Sequence, residues 1–460
     1  MGIAASLFFD RNAETDTLHR RVTPSDDQQA DQQERWNDLV EVLKTKLKST
    51  TGYPVFSWLQ GSYKFGTQIR PVRKDDEFDI DLGLYFQWDG KPSDGHFHPK
   101  ALKYLTQTEL KAYAAEFSEE VRSVGEPKKR CCRIHYKGQF HIDIPVYHED
   151  PKSKTVALAT QDDTWEDSDP EALVKWFQGL FDDAQRAVVR RLIRYIKAWS
   201  ALTFENEAKR PSSMVLTVLI AEAAKQMPDL QSGADDTLLR NAVDRVRSRL
   251  SATGFIANPV NGRENIMRLS PSDQGELRSQ LEKLLGIADR ALAAPTQLVS
   301  ADIWQEAFLH FFPLPVDAGA SATANNLPAV IATPEVSIAA TSRDNTNLRF
   351  SGTNSITVPR NTDLLFTVTN PHALPLGCVI EWTVRNAGPE AENINDLGHR
   401  AGTGLTAKEH TAYQGTHFMD CAVRSSGRLI ALRRVKVTVT GIAAPRRNAL
   451  RRPSWTQFRK

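Results

Sequence analysis

The chain has 460 residues, 40% hydrophobic and 25% charged, which is enough apolar material for two or three domains. Its four cysteines, Cys131, Cys132, Cys378 and Cys421, form neither a CxxC pair nor a Cys/His metal spacing, so neither a structural zinc site nor a disulfide framework is indicated, and a reducing, cytoplasmic compartment fits. No apolar run approaches the ~20 residues that cross a bilayer, and the net charge of +2 hides an acidic stretch from Asp162 to Glu171 and a basic one at 443–460.

"MGIAAS" matches the short MGxxxS myristoylation pattern with Gly2 and Ser6 in place, and the rest of 1–25 reads as an N-terminal segment. From about Asp26 to Leu47, Trp36, Leu39, Val40 and Leu43 recur at helical spacing. "YPVFSWLQ" then reads as a strand closed by a turn at Gly61. In "DDEFDIDLGLYF" the residues Phe78, Ile80, Leu82, Leu84 and Phe86 share one parity, and Asp79 and Asp81 share the other. On a strand that buries one face and projects both aspartates from the opposite one. "CCRIHYKGQFHIDIPVY" reads as a hairpin turning at Lys137-Gly138, with Phe140, Ile142, Ile144 and Val146 inward and Asp143 outward.

Helical periodicity then runs through Glu171 to Thr203 as one long helix, and "PSSMVLTVLIAEAA", "DTLLRNAVDRVRSRL", "SDQGELRSQLEKLLGIADRAL" and "SADIWQEAFLHFF" continue it to about Phe312. A small, polar, Pro-containing stretch has linker composition. Beyond it the period turns to two in "NLRFSG", "SITVPR", "DLLFTVTN", "CVIEWTVRN", "HTAYQGTHFMDCAVRS" and "RLIALRRVKVTVTG", the pattern of a small all-β sandwich. The expected divisions are 1–25, a catalytic core at 26–170, a helical lobe at 171–315, a linker at 316–334, a β domain at 335–442 and a basic tail at 443–460.

Two aspartates at i and i+2 on one strand face repel unless a cation sits between them. A third, Asp143, on a neighbouring strand completes an oxygen-rich set suited to Mg²⁺ or Mn²⁺. Two such ions about 4 Å apart activate an attacking hydroxyl and stabilise leaving pyrophosphate. Gly61 allows close backbone approach, and the Ser62 hydroxyl with the following amides can hold phosphate oxygens. Lys64, Arg70, Arg73 and Lys74 lie where they can steer triphosphates. Each piece alone is ordinary, since GS is a common turn and DxD a common solvated strand edge, but the conjunction is specific.

At these residues the sequence resembles the polymerase-β-like nucleotidyltransferases, and more narrowly the bacterial relatives of cGAS and DncV, the CD-NTase or SMODS family of CBASS antiphage defence. The resemblance covers roughly residues 20–315. It implies an α+β fold in which a polymerase-β-like nucleotidyltransferase core carries a helical second lobe, followed here by the β sandwich. The family's GS, DxD and third aspartate fall on Gly61, Ser62, Asp79, Asp81 and Asp143. Its spine-helix basic residue falls on Lys197 in "RYIKAW", and its PS at the next helix start falls on Ser212 or Ser213. The three aspartates would be catalytic and bind metal; the other residues would bind substrate. The β region resembles the AGS-C sensor module, which implies an activating ligand there. The resemblance as a whole implies an enzyme condensing nucleoside triphosphates, ATP or GTP, into a cyclic oligonucleotide that activates an antiphage effector. The alternatives are a linear oligonucleotide synthase, nucleotide transfer to RNA or protein, or a catalytically silent nucleotide-binding sensor.

Overall fold

The computed structural model describes residues 2–12, 15–73, 76–315 and 332–441, and the expected basic tail and most of the expected linker lie outside them. The chain divides into two compact units, 1–289 and 290–460.

The first unit is built on a sheet of β1 (Val55–Gln60), β2 (Phe78–Gln87), β3 (Val121–Val124), β4 (Cys132–Tyr136), β5 (Phe140–Ile144), β6 (Val146–Glu149), β7 (Val156–Ala159) and β8 (Trp165–Asp167). Strand order is β3-β4-β5-β2-β6-β7-β8, with β1 also paired to β2. β2 is the hub. It runs antiparallel to β1 and parallel to both β5 and β6. The single strand expected over "QFHIDIPVY" is broken at Pro145, which has no amide to give a ladder; its carbonyl instead accepts from Leu84 N at 3.0 Å.

The first unit's helices are α1 (Ala5–Phe8), α2 (Leu18–Val22), α3 (Asp26–Thr51), α4 (Gly61–Phe65), α5 (Pro99–Glu116), α6 (Pro170–Leu180), α7 (Asp183–Thr203), α8 (Ser213–Ala224), α9 (Asp235–Ala252) and α10 (Pro271–Leu292). Alternation decides which sheet face they cover. Phe78, Ile80, Leu82, Phe140, Ile142 and Ile144 form one core with Leu39, Leu43 and Leu47 of α3 and Leu102 and Leu110 of α5. Full burial stabilises each such side chain by about 1.5–3 kcal/mol, so a one-residue slip, which would turn this row outward, is strongly disfavoured. The opposite parity is left for the site.

The long helix expected from Glu171 to Thr203 is two. Asp182 caps α7 by accepting from Gln185 N at 2.8 Å while the Gln185 side chain returns to the Asp182 amide, a reciprocal cap that starts a new helix. The N-terminal segment is folded against α7: Tyr195 donates to the Phe8 carbonyl at 3.1 Å, and Arg191 stacks over Phe9 at 3.9 Å. Gly2 lies so close to Asp236 that an added Cβ would collide with its carboxylate.

A hairpin of β9 (Ala257–Asn258) and β10 (Asn261–Asn265) completes the strands of the first unit. The second unit pairs a four-stranded sheet with a five-stranded one around a shared core that includes Val336, Phe366, Trp382, Val423 and Val437. This is the sandwich expected from the period of two. Strands Val336–Ser342, Gly398–Thr403 and Thr406–His410 join those read from the sequence. The same compact unit takes in α11 (Gln297–Phe308), whose Asp302 pairs with Arg424 at 2.5 Å.

Candidate active site

The turn from β1 into α4 is shaped around one carboxylate. Gly61 has φ +57°, and a Cβ built there would sit 1.8 Å from Asp81 Oδ2. Both the conformation and the contact require glycine. Gln60, just before it, is pinned by two stacked tyrosines: it donates to Tyr85 Oη at 2.8 Å and accepts from Tyr147 Oη at 3.1 Å. The strand end therefore cannot drift away from β2.

Asp79 and Asp81 project from β2 on the face opposite the core, and the parallel register sets Asp81 beside Asp143 and Asp79 beside His141. Asp79 is the exposed member, at 52%, and Asp143 is buried. Burial drives the Asp81 carboxyl well above the ordinary range, and the neighbouring charges of Asp79 and Asp143 push it further; Arg133 and Lys197 oppose them. A cation among these carboxylates would relieve that repulsion. The donor set fits a divalent ion: oxygens of Asp79 and Asp143 and a nitrogen of His141 lie within 4.8 Å of one another. Asp81 is not in that group of three, its carboxylate being turned toward Gly61.

Arg133, opposite Asp143 on β4, grips both carboxylate oxygens, through Nε and, at 2.6 Å, through Nη2. Burial raises the Asp143 carboxyl, but Arg133 outweighs it and holds the group below its usual range. A second layer stands beyond. Glu77 accepts from His135 Nδ1 at 2.8 Å and His141 Nδ1 at 2.9 Å, and pairs with Arg122. Glu77, Arg133, His135 and His141 were not singled out from the sequence. Arg133, His135 and His141 have the same outward parity as Asp143, so the alternation that found the aspartate carried them too; Glu77, ahead of its strand, has no such signal.

A cleft of about 820 Å³ opens over this face, with Ser62, Asp79, His141, Lys197 and Ser213 on its walls. Lys197 is buried and donates to the carbonyl and hydroxyl of Thr67 at 3.3 and 3.2 Å. Burial, then the Arg194 charge, lowers its pKa to about 7 against the pull of Asp79 and Asp81. Ser212 is on a different wall. It caps α8 by accepting from Val215 N at 3.3 Å and lines a smaller cleft of about 290 Å³ that also reaches Gly61 and Asp81. Of the basic residues read as steering groups, Arg70 is buried and donates to the Thr23 carbonyl, Arg73 donates to the Leu202 carbonyl, and Lys64 lies over Trp58. Lys74 lies outside the described residues.

A family model described as the nucleotidyltransferase domain of DncV-like cyclic GMP-AMP synthase matches residues 55–147, and one described as the adenylyl/guanylyl and SMODS C-terminal sensor domain matches 319–440. A cyclic GMP-AMP synthase of Escherichia albertii is 30% identical over 454 residues, covering 97% of this chain and 98% of the relative. A c-di-GMP synthase of Roseivirga ehrenbergii is 24% identical over 247 residues, 47% of this chain and 61% of its own. Among solved structures, Vibrio cholerae DncV, a cyclic AMP-GMP synthase, superposes with a TM-score of 0.57 at 19% identity, over 68% of this chain and 98% of that one. Escherichia coli DncV with 3′-deoxy GTP gives 0.56 at 18%, over 65% and 95%. An end-to-end relative, two matching family models in series and a shared fold make this chain a member of the DncV-like nucleotidyltransferase family, carrying that family's C-terminal sensor module.

Proposed function

We propose that this protein condenses purine nucleoside triphosphates into a cyclic dinucleotide, with cyclic GMP-AMP the first product to seek, and that the product activates an antiphage effector. The observation that carries the reading is the juxtaposition of Asp79, Asp81 and Asp143 on one sheet face beneath the Gly61-Ser62 turn, in a chain related end to end to a cyclic GMP-AMP synthase. Mg²⁺ or Mn²⁺ held by the three aspartates, two ions in the full complement, would neutralise the donor triphosphate and acidify the attacking sugar hydroxyl.

The chain's own residues supply the rest. Gly61 lets the backbone come close to a phosphate, and Ser62 offers it a hydroxyl donor. Lys197 and Ser213, on the same cleft, add an amine whose charged form a bound triphosphate would favour and a second hydroxyl. Asp143 stands ready to accept the proton of the attacking hydroxyl, with Arg133 fixing its orientation. Catalysis on this reading is positioning and charge neutralisation, without a covalent protein nucleophile. The β sandwich would bind the ligand that switches the enzyme on.

The test is incubation with all four labelled triphosphates and Mg²⁺ or Mn²⁺, then phosphatase treatment and mass analysis. A phosphatase-resistant cyclic product from the wild type is expected. Asp79→Asn and Asp81→Asn should each fall below about one-thousandth of that rate, because several kcal/mol of charge stabilisation are lost. A product with a phosphatase-sensitive end would replace this reading with a linear oligonucleotide synthase, and an active double variant would remove the proposed site altogether.

A further inference from the structure

The imidazole of His141 sits in an arrangement that the three-aspartate site does not account for. Its Nδ1 donates to Glu77 Oε2 at 2.9 Å. A carboxylate accepts only, so in the neutral ring the proton is on Nδ1 and the Nε2 lone pair faces the other way. Glu77 is itself held, by His135 through the same oxygen and by Arg122 through the other, so the tautomer is fixed from outside the site.

Nε2 is buried and makes no hydrogen bond among the described residues. It lies 3.0 Å from Asp79 Oδ1, a distance that a protonated ring would make an ion pair and a shared cation would make a pair of neighbouring ligands. Two donors bound to one ion at right angles, each at about 2.1 Å, stand about 3.0 Å apart. The spacing of Nε2 and Oδ1 therefore suits two neighbouring ligands of one ion, and Asp143 is within the same reach. A carboxylate behind the far nitrogen of a ligating histidine is also the usual support for such a ligand.

We infer that His141 is a nitrogen ligand of the metal site, oriented by Glu77, and that the site consequently takes a first-row transition ion such as Mn²⁺ or Co²⁺ in preference to Mg²⁺. The inference rests on the reading that Asp79 and Asp143 hold metal, and it adds what three carboxylates alone would not give. Mg²⁺ demands oxygen ligands, whereas imidazole nitrogen is a good donor to the transition ions.

The experiment is pulsed electron paramagnetic resonance of Mn²⁺ added to the full-length protein without nucleotide, alongside Mn²⁺ and Mg²⁺ titrations. The wild type should show nitrogen modulation that changes when the protein carries ¹⁵N-labelled histidine, a result that needs no variant to fold. His141→Ala should lose the modulation and His135→Gln should keep it. Glu77→Gln should weaken Mn²⁺ binding about 10–100-fold and leave Mg²⁺ binding less affected. Mn²⁺ that binds the wild type, depends on Asp79 and shows no nitrogen coupling would overturn the histidine ligand while leaving the aspartate site standing. Mn²⁺ that fails to bind, or binds Asp79→Asn/Asp81→Asn equally well, would overturn the aspartate site and this inference with it.

Discussion

Gly61 is the position where a single methyl group should separate folding from chemistry. Alanine there meets two penalties: the left-handed backbone, about 1–2 kcal/mol, and an overlap with the Asp81 carboxylate. The second can be relieved only by turning that carboxylate aside. Gly61→Ala is therefore expected to lower the melting temperature by a few degrees and to reduce product formation at least about 100-fold, measured as pyrophosphate release beside a thermal melt. A variant with wild-type turnover would show that the position of Asp81 over the turn is irrelevant. At this scale the sequence was informative where chemistry needs a rare residue in a fixed place. Glycine before serine and aspartate at alternate positions are such signals. Glu77 is not, because a single acidic residue ahead of a strand has no period to betray it, and its role depends on Arg122, His135 and His141 arriving from three separate positions in the chain.

Among the elements, strand faces were legible and interruptions were not. The two-residue period separates core from site with no knowledge of partners, so the outward set on β2 and β5 can be read from the sequence, while the parallel pairing that puts Asp81 beside Asp143 cannot. The helical period carried straight through 171–203 because the apolar phase survives the break; the signal was Asp182 followed by Gln185, a cap motif. Helix α5 escaped notice because Lys103, Thr106 and Gln107 are buried among its apolar residues and blur the pattern. Lys103 offsets its burial by donating to the carbonyls of Lys128 and Lys129. Asp182→Ala should cost about 0.5–2 kcal/mol, read as a shift in the denaturant midpoint of the full chain, since it leaves the α7 amides without their acceptor. No shift would mean that the division between α6 and α7 is held by packing and not by the cap.

For the molecule as a whole, the second unit carries its own acid sensitivity. Asp420 is buried, which raises its carboxyl, but Arg434 and Arg385 together hold it below the usual range. Arg385 also donates to the carbonyls of His310 and Phe312 at 2.8 Å, tying the chain just after α11 to the sheet. A depressed carboxyl contributes stability above its unfolded value, about 3.9, and that contribution is lost as pH falls through the folded value. The second unit should thus keep this stability at neutral pH and begin losing it below about pH 4, with Asp420→Asn destabilised by about 3–5 kcal/mol at pH 7 and much less sensitive to acid; a wild-type acid transition unchanged in the variant would exclude Asp420 as its source. Because α11 belongs to that unit and is tied to it through Asp302–Arg424, a chain ending at 315 should keep α11 without its partners and be less soluble than one ending at 295, compared by light scattering. Arg133 has a consequence of another kind. By gripping Asp143 it gives one of the clustered carboxylates a counter-charge from the protein itself, so part of their mutual repulsion is relieved whether or not a divalent ion is bound. Fold stability and turnover should therefore respond differently to metal: a chelator should silence the enzyme yet move its melting temperature little, and returning the ion should restore activity without a refolding lag.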